Sequence, residues 1–313
     1  MQPAYSVILL TTLIGAAQGL FLALYGTEMT GLGSLSQADS HRFLVFGTSV
    51  ALCLAVMGLV ASFFHLGRPE RAWRSAAMWR TSWLSREVIA LPLFLLGLFM
   101  YGMAHYLDHP NTALIGAVTG LVCLALFVCT AMVYASVRFL QEWSSPLTLV
   151  NYLLLGTASG LTLATLLAAT LGITALVQPY AVLAIGLTLL AWVTRSASLL
   201  RNARLKPKSS LQSAIGIKHP RIVQKAQGFM GGSFNTREFF HGHNAEMLRS
   251  VKWVFLLLVF PLPVICLVMG VKQPSTAMLV VAFGLQYLGL LAERWFFFAQ
   301  ANHPQNLYYQ TIS

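Results

Sequence analysis

Eight long apolar runs separated by polar stretches organise this chain, at about 5–25, 43–64, 88–107, 112–137, 148–170, 173–194, 253–271 and 276–298. Each is near the ~20 residues that an α-helix needs to cross a bilayer. The pattern predicts an all-α fold: one integral membrane bundle of eight transmembrane helices spanning 1–313 as a single domain. The polar segments alternate between two kinds. One set is short, at 108–111, Gly172 and 273–275, with only 26–41 longer. The other set is elaborated, at 65–87 and 195–252, with 138–147 between them.

Charge follows the same alternation and gives the bundle a direction. Eighteen of the 20 Lys and Arg residues lie on the elaborated side, leaving only Arg42 and Lys272 on the other. Lys and Arg concentrate in cytoplasmic loops, so both termini and the long basic loop between helices 6 and 7 are expected in the cytoplasm. The N-terminal Met-Gln-Pro-Ala-Tyr-Ser carries no basic residue, so the first run reads as a retained span rather than a cleaved signal.

Composition narrows the function classes. Charged residues make up 9% of the chain, against about 25% in a soluble domain, and the mean hydropathy is +0.70. The net charge of +11 sits beside membrane spans, where lipid headgroups account for it, and no nucleic-acid recognition motif accompanies it. Cys53, Cys123, Cys129 and Cys266 lie in predicted spans and form no CxxC, so no iron–sulfur cluster is expected in this chain. No His falls in the middle of a span, and a haem is not expected either.

The elaborated side carries two distinctive segments. In 69–80, Pro69 and Glu70 suit a helix start, and Arg68, Arg71 and Arg74 recur every three residues opposite Ala72, Trp73, Ala76 and Ala77. This predicts a short helix at headgroup depth, flanked by Trp73, Trp79 and Trp83. The loop at about 200–250 mixes basic residues with Phe229, Phe234, Phe239 and Phe240, too apolar for a disordered tether. It reads as a docking surface for a soluble partner, with Arg68, Arg71, Arg74, Phe234, Arg237, Phe239 and Phe240 as its candidate residues. In the seventh span, Pro261 and Pro263 predict a kink.

Ionisable groups in or beside spans are costly and mark functional sites. His65 closes the second span and Glu87 opens the third at the same face; Glu293 and Arg294 end the eighth, with His303 beyond. His65 and Glu87 suit reversible two-proton, two-electron chemistry of a quinone. The residues alone leave open a helix cap for His65, an arginine partner for Glu87, and a local ion pair for Glu293 and Arg294.

Two motifs, His65-Leu66-Gly67-x-Pro69 and Ser82-Trp83-Leu84-Ser85-x-Glu87, resemble the membrane anchor subunit of the dimethyl sulfoxide reductase family. Ala292-Glu293-Arg294-Trp295-Phe296 and the eight-span pattern extend the likeness over most of the chain. That resemblance implies a subunit of the bacterial cytoplasmic (inner) membrane exchanging electrons between quinone, ubiquinone or menaquinone, and an iron–sulfur partner serving a molybdopterin catalytic subunit. It places the quinone-site histidine on His65 and the acidic residue on Glu87, with Arg86, Trp83 and Ser85 beside them. The loop with Asn235-Thr236-Arg237-Glu238-Phe239-Phe240-His241-Gly242 departs from the reductase anchors and is similar to anchors of quinone-linked sulfite dehydrogenases. Competing readings are a quinol-oxidising anchor, an anchor without a quinone site, and a transporter. A transporter would place charges at midplane and break helices in symmetric pairs.

Overall fold

The computed structural model describes residues 4–64, 66–206, 210–223, 225 and 245–302. Among them the chain is entirely helical. It runs through α1 (Tyr5–Thr30), α2 (Gln37–Phe63), a 3₁₀ helix (Pro69–Ala76), α3 (Trp83–Tyr106), α4 (Thr112–Ala135) and α5 (Pro146–Thr170). It continues through α6 (Thr174–Ala203), the one-turn α7 (Leu211–Ile215), α8 (Ala245–Val259), α9 (Pro261–Lys272) and α10 (Thr276–Ala299). With α8 and α9 counted as one broken span, eight segments among the described residues are long and apolar enough to cross a membrane. The chain is a multi-pass membrane protein.

Serine caps start several of these helices. Ser36, Ser82, Ser145 and Ser275 each accept from a backbone amide of the turn they open. Gly31 ends α1 with φ +62°, a left-handed turn favouring glycine. Because α1 continues to Thr30 and α2 begins at Gln37, the expected 26–41 connection shrinks to six residues. The predicted kink at Pro261 is a complete break: α8 stops at Val259 and α9 starts at Pro261. The helix expected at 69–80 is a 3₁₀ helix ending at Ala76.

The bundle is built around α1 and α5. Their most apolar windows are 67% and 61% buried, against 28–39% for the other spans. Glycines let these two helices touch backbone to backbone: a Cβ on Gly160 would lie 2.1 Å from the carbonyl carbon of Gly19. One end of the bundle carries the 3₁₀ helix, the start of α3, the 136–145 connection and the end of α6. Arg68, Arg71, Arg74, Arg80, Arg138, Arg201 and Arg204 lie there, and it is called the basic end below. The start of α1 and the end of α10 meet at this end, where Ile8 packs with Trp143, Tyr152, Phe297 and Phe298.

Candidate functional site

Glu87 lies on α3, roughly 6 Å along the helix from its start at the basic end. Its Oε1 accepts a 2.6 Å hydrogen bond from Thr130 Oγ1 on α4. Both residues line a small, partly open cavity of about 20 Å³, together with Gln18 of α1, Tyr152 and Ser159 of α5, and Arg294 of α10. The Tyr152 hydroxyl is buried, and the Tyr134 ring stacks on the Tyr152 ring at 5.8 Å between centres. Among these lining groups the Glu87 carboxyl can take up and release a proton, whereas the Arg294 guanidinium is a fixed positive charge. The size decides what fits: a water needs roughly 10–15 Å³ of such space, so the cavity admits about one water and no six-membered ring.

Arg294 belongs to a buried charge cluster. Arg195 Nε lies 2.8 Å from Glu293 Oε1, and Arg294 Nη1 lies 3.1 Å from Glu293 Oε2. These contacts are off the hydrogen-bond line, so the attraction is electrostatic. The Arg294 guanidinium also sits 3.6 Å over the Tyr152 ring, and that of Arg195 lies 5.5 Å from the Phe255 ring centre. All three charged residues are at most 4% exposed. One carboxylate and two guanidiniums leave one excess positive charge beside the cavity.

The sequence places Arg195 in a cytoplasmic loop, but α6 runs on to Ala203 and carries Arg195 into the bundle interior. The local Glu293–Arg294 pair is therefore a three-residue cluster. Arg195, Thr130 and Tyr152 were not legible as site residues. Their partners lie 98, 43 and 142 positions away respectively, and no local motif marks such distances.

The other candidate residues are spread around this centre. Ser85 is buried, and its amide donates to the Ser82 cap at 3.3 Å. Arg86 points away from the cavity: its guanidinium donates to Trp79 O and Arg80 O at 2.9 and 2.8 Å and lies 4.2 Å over the Trp83 ring. Arg86 and Trp83 thus brace the 77–82 turn, and neither they nor Ser85 line the cavity. Arg68, Arg71 and Arg74 are exposed on and beside the 3₁₀ helix, with Arg74 5.5 Å from the ring centre of the exposed Trp73. His65, Phe234, Arg237, Phe239, Phe240 and His303 lie outside the described residues.

A second polar brace closes the basic end. Arg201 donates to Gln141 O and Ser144 O at 3.0 and 3.2 Å, and Trp143 Nε1 donates to Phe297 O at 2.8 Å. Burial in this connection pushes the Glu142 carboxyl above the ordinary glutamate range, partly offset by backbone hydrogen bonding and by Arg201. Among the described residues, no group of three or more His, Cys, Asp or Glu is arranged to hold a metal.

The chain matches the DMSO reductase anchor subunit (DmsC) family over residues 1–309. It is also 52% identical over 326 aligned positions to a subunit of the sulfite dehydrogenase of Allochromatium vinosum, an alignment covering 100% of both chains.

Proposed function

This chain belongs to the DMSO reductase anchor subunit family, and from that premise we propose that it is the quinone-reactive membrane anchor of a molybdopterin and iron–sulfur oxidoreductase. The likeness to a sulfite dehydrogenase subunit favours sulfite as the substrate of the catalytic partner. In that reading two electrons leave sulfite, pass through the iron–sulfur partner, and are taken up with two protons at a membrane quinone. The partners dock on the cytoplasmic face, against the exposed Arg68, Arg71 and Arg74 and the loop containing Phe234, Arg237, Phe239 and Phe240.

The observation that carries the quinone part is Glu87, a carboxyl at the membrane edge of the basic end, held by Thr130 in the wall of a water-sized cavity. A quinone supplies the two-electron, two-proton capacity, and its ring belongs outside a space of about 20 Å³. Glu87 holds the proton to be delivered. Thr130 fixes the carboxyl's orientation, and the cavity behind it gives room for one water to return a proton. His65, which follows Phe64 at the end of α2, is the hydrogen-bonding partner for a ring carbonyl. Tunnelling falls steeply with distance, so the ring must lie at the end where the iron–sulfur partner docks.

Glu87→Gln preserves the shape and removes the titratable proton. In the assembled complex it is expected to lower quinone-coupled sulfite oxidation by roughly tenfold or more, with turnover on an artificial soluble acceptor unchanged. Equal loss with both acceptors would move Glu87 out of the proton path.

Orientation is testable separately. Ala77 is exposed at the basic end, and Asn111 is exposed at the opposite end. In intact cells a cysteine at Asn111 is expected to react with an impermeant thiol reagent, whereas one at Ala77 reacts only after lysis. The reverse pattern would put the docking face outside.

A further inference from the structure

At the end opposite the basic face, the structure holds a second and larger polar site. A pocket of about 470 Å³ opens between the end of α1, the 31–36 turn, the start of α2 and the end of α3. Glu28 is its centre, accepting from Tyr101 Oη at 2.6 Å and from Thr112 Oγ1 at 2.5 Å, with His105 Nε2 3.6 Å away. His41, His105 and Asp108 complete its ionisable lining. Ser34 and Asp108, with φ +45° and +50°, are the non-glycine residues of positive φ among the described residues, and both line it. Such conformations cost energy and persist where the surrounding structure holds them.

Directly below runs an apolar groove of about 400 Å³ between α2 and α3, lined by Val45, Ser49, Leu52, Phe99, Met103 and Tyr106. The two spaces lie at successive levels of the same α2–α3 seam, above and below the close approach of Thr48 to Gly102. On α2, His41, Leu44 or Val45, Thr48 and Leu52 follow at helical spacing, and on α3 so do His105, Gly102 and Leu98. A headgroup-sized polar chamber thus sits next to an apolar groove roughly 10 Å long, from Val45 to Leu52.

We propose that this pair of spaces binds one aminophospholipid, its ammonium against Glu28 and Asp108 and one acyl chain in the α2–α3 groove. Charge complementarity selects the occupant. Two carboxyl groups face the chamber, so a cationic amine suits it and a purely anionic head does not. His41 lines the chamber and Arg42, the next residue along α2, is exposed; together they answer the phosphate. A bound lipid here would fasten α1, α2 and α3 at the end farthest from the partner subunits.

The test uses the full-length chain in detergent, with native mass spectrometry against phosphatidylethanolamine, phosphatidylcholine and phosphatidylglycerol, plus a short-tailed quinone as competitor. The wild-type protein is expected to prefer phosphatidylethanolamine over phosphatidylglycerol by about tenfold. Glu28→Gln should abolish that preference. Ser49→Trp, which fills the exposed groove, should weaken all three lipids alike. Equal binding of the lipids to the wild-type chain would mean an unselective lipid belt. Displacement of the lipid by the quinone, with no effect of Glu28→Gln, would make the chamber a quinone site. Either result overturns the proposal.

Discussion

Replacing Glu293 with Gln is expected to cost about 3–5 kcal/mol and to deplete the folded chain in membranes. Glu293 is fully buried and is the carboxylate between Arg195 and Arg294. Its loss leaves two nearly buried guanidiniums without the carboxylate they share. Arg195 is already strained in this respect, since its Nη2 is buried without a hydrogen-bond partner. Removing both members of the central pair is the informative comparison. Arg195→Leu combined with Glu293→Leu leaves Arg294 stacked on Tyr152 and should recover much of the loss, because a buried ion pair is worth less than its breakage costs. Thermal unfolding in detergent and the yield of membrane-inserted chain measure both variants. A double variant as unstable as Glu293→Gln would mean that the pair itself, rather than its uncompensated charge, holds α6 to α10.

Gly160→Ala is expected to destabilise the bundle by about 3 kcal/mol, the upper range of overpacking. The added carbon would stand 2.1 Å from the carbonyl carbon of Gly19, 2.2 Å from the Leu20 nitrogen and 2.4 Å from the Gly19 Cα. All three are backbone atoms, so no side chain can swing aside, and the two central helices must part. Gly26 lies on the same helix as Gly19, but a Cβ there meets nothing within 4 Å. Gly26→Ala should therefore change stability by no more than about 0.5 kcal/mol. Comparable unfolding temperatures for the two variants would refute the close α1–α5 contact.

The candidate site was only half legible. Glu87 stood out because an ionisable residue beside an apolar run is costly wherever it lies, and the structure places it in the wall of a small, mostly apolar cavity. Arg86, its sequence neighbour, faces elsewhere because consecutive residues on a helix point about 100° apart, and Trp83, one turn earlier, is covered by the Arg86 guanidinium. Arg195 misled for a different reason. Charge at the end of an apolar run reads as loop, yet α6 continues nine residues past the predicted span to Ala203. A partner 98 positions later accepts the charge inside the bundle.

What the sequence determined by itself is the number of spans, their approximate limits, and the strong charge bias between the two ends. Each follows from a local requirement: a segment in lipid must satisfy its own backbone, so an apolar run of sufficient length becomes a helix wherever it packs. Tertiary structure decided which helices are central, which residues face one another, and how large the resulting spaces are. The spans are apolar nearly all round, so no stripe of residues marks an inward face. Their rotation is set instead by glycine contacts such as Gly19 with Gly160, and by pairs such as Thr130 with Glu87. These depend on two helices meeting at a particular depth and angle, and neither helix records that alone.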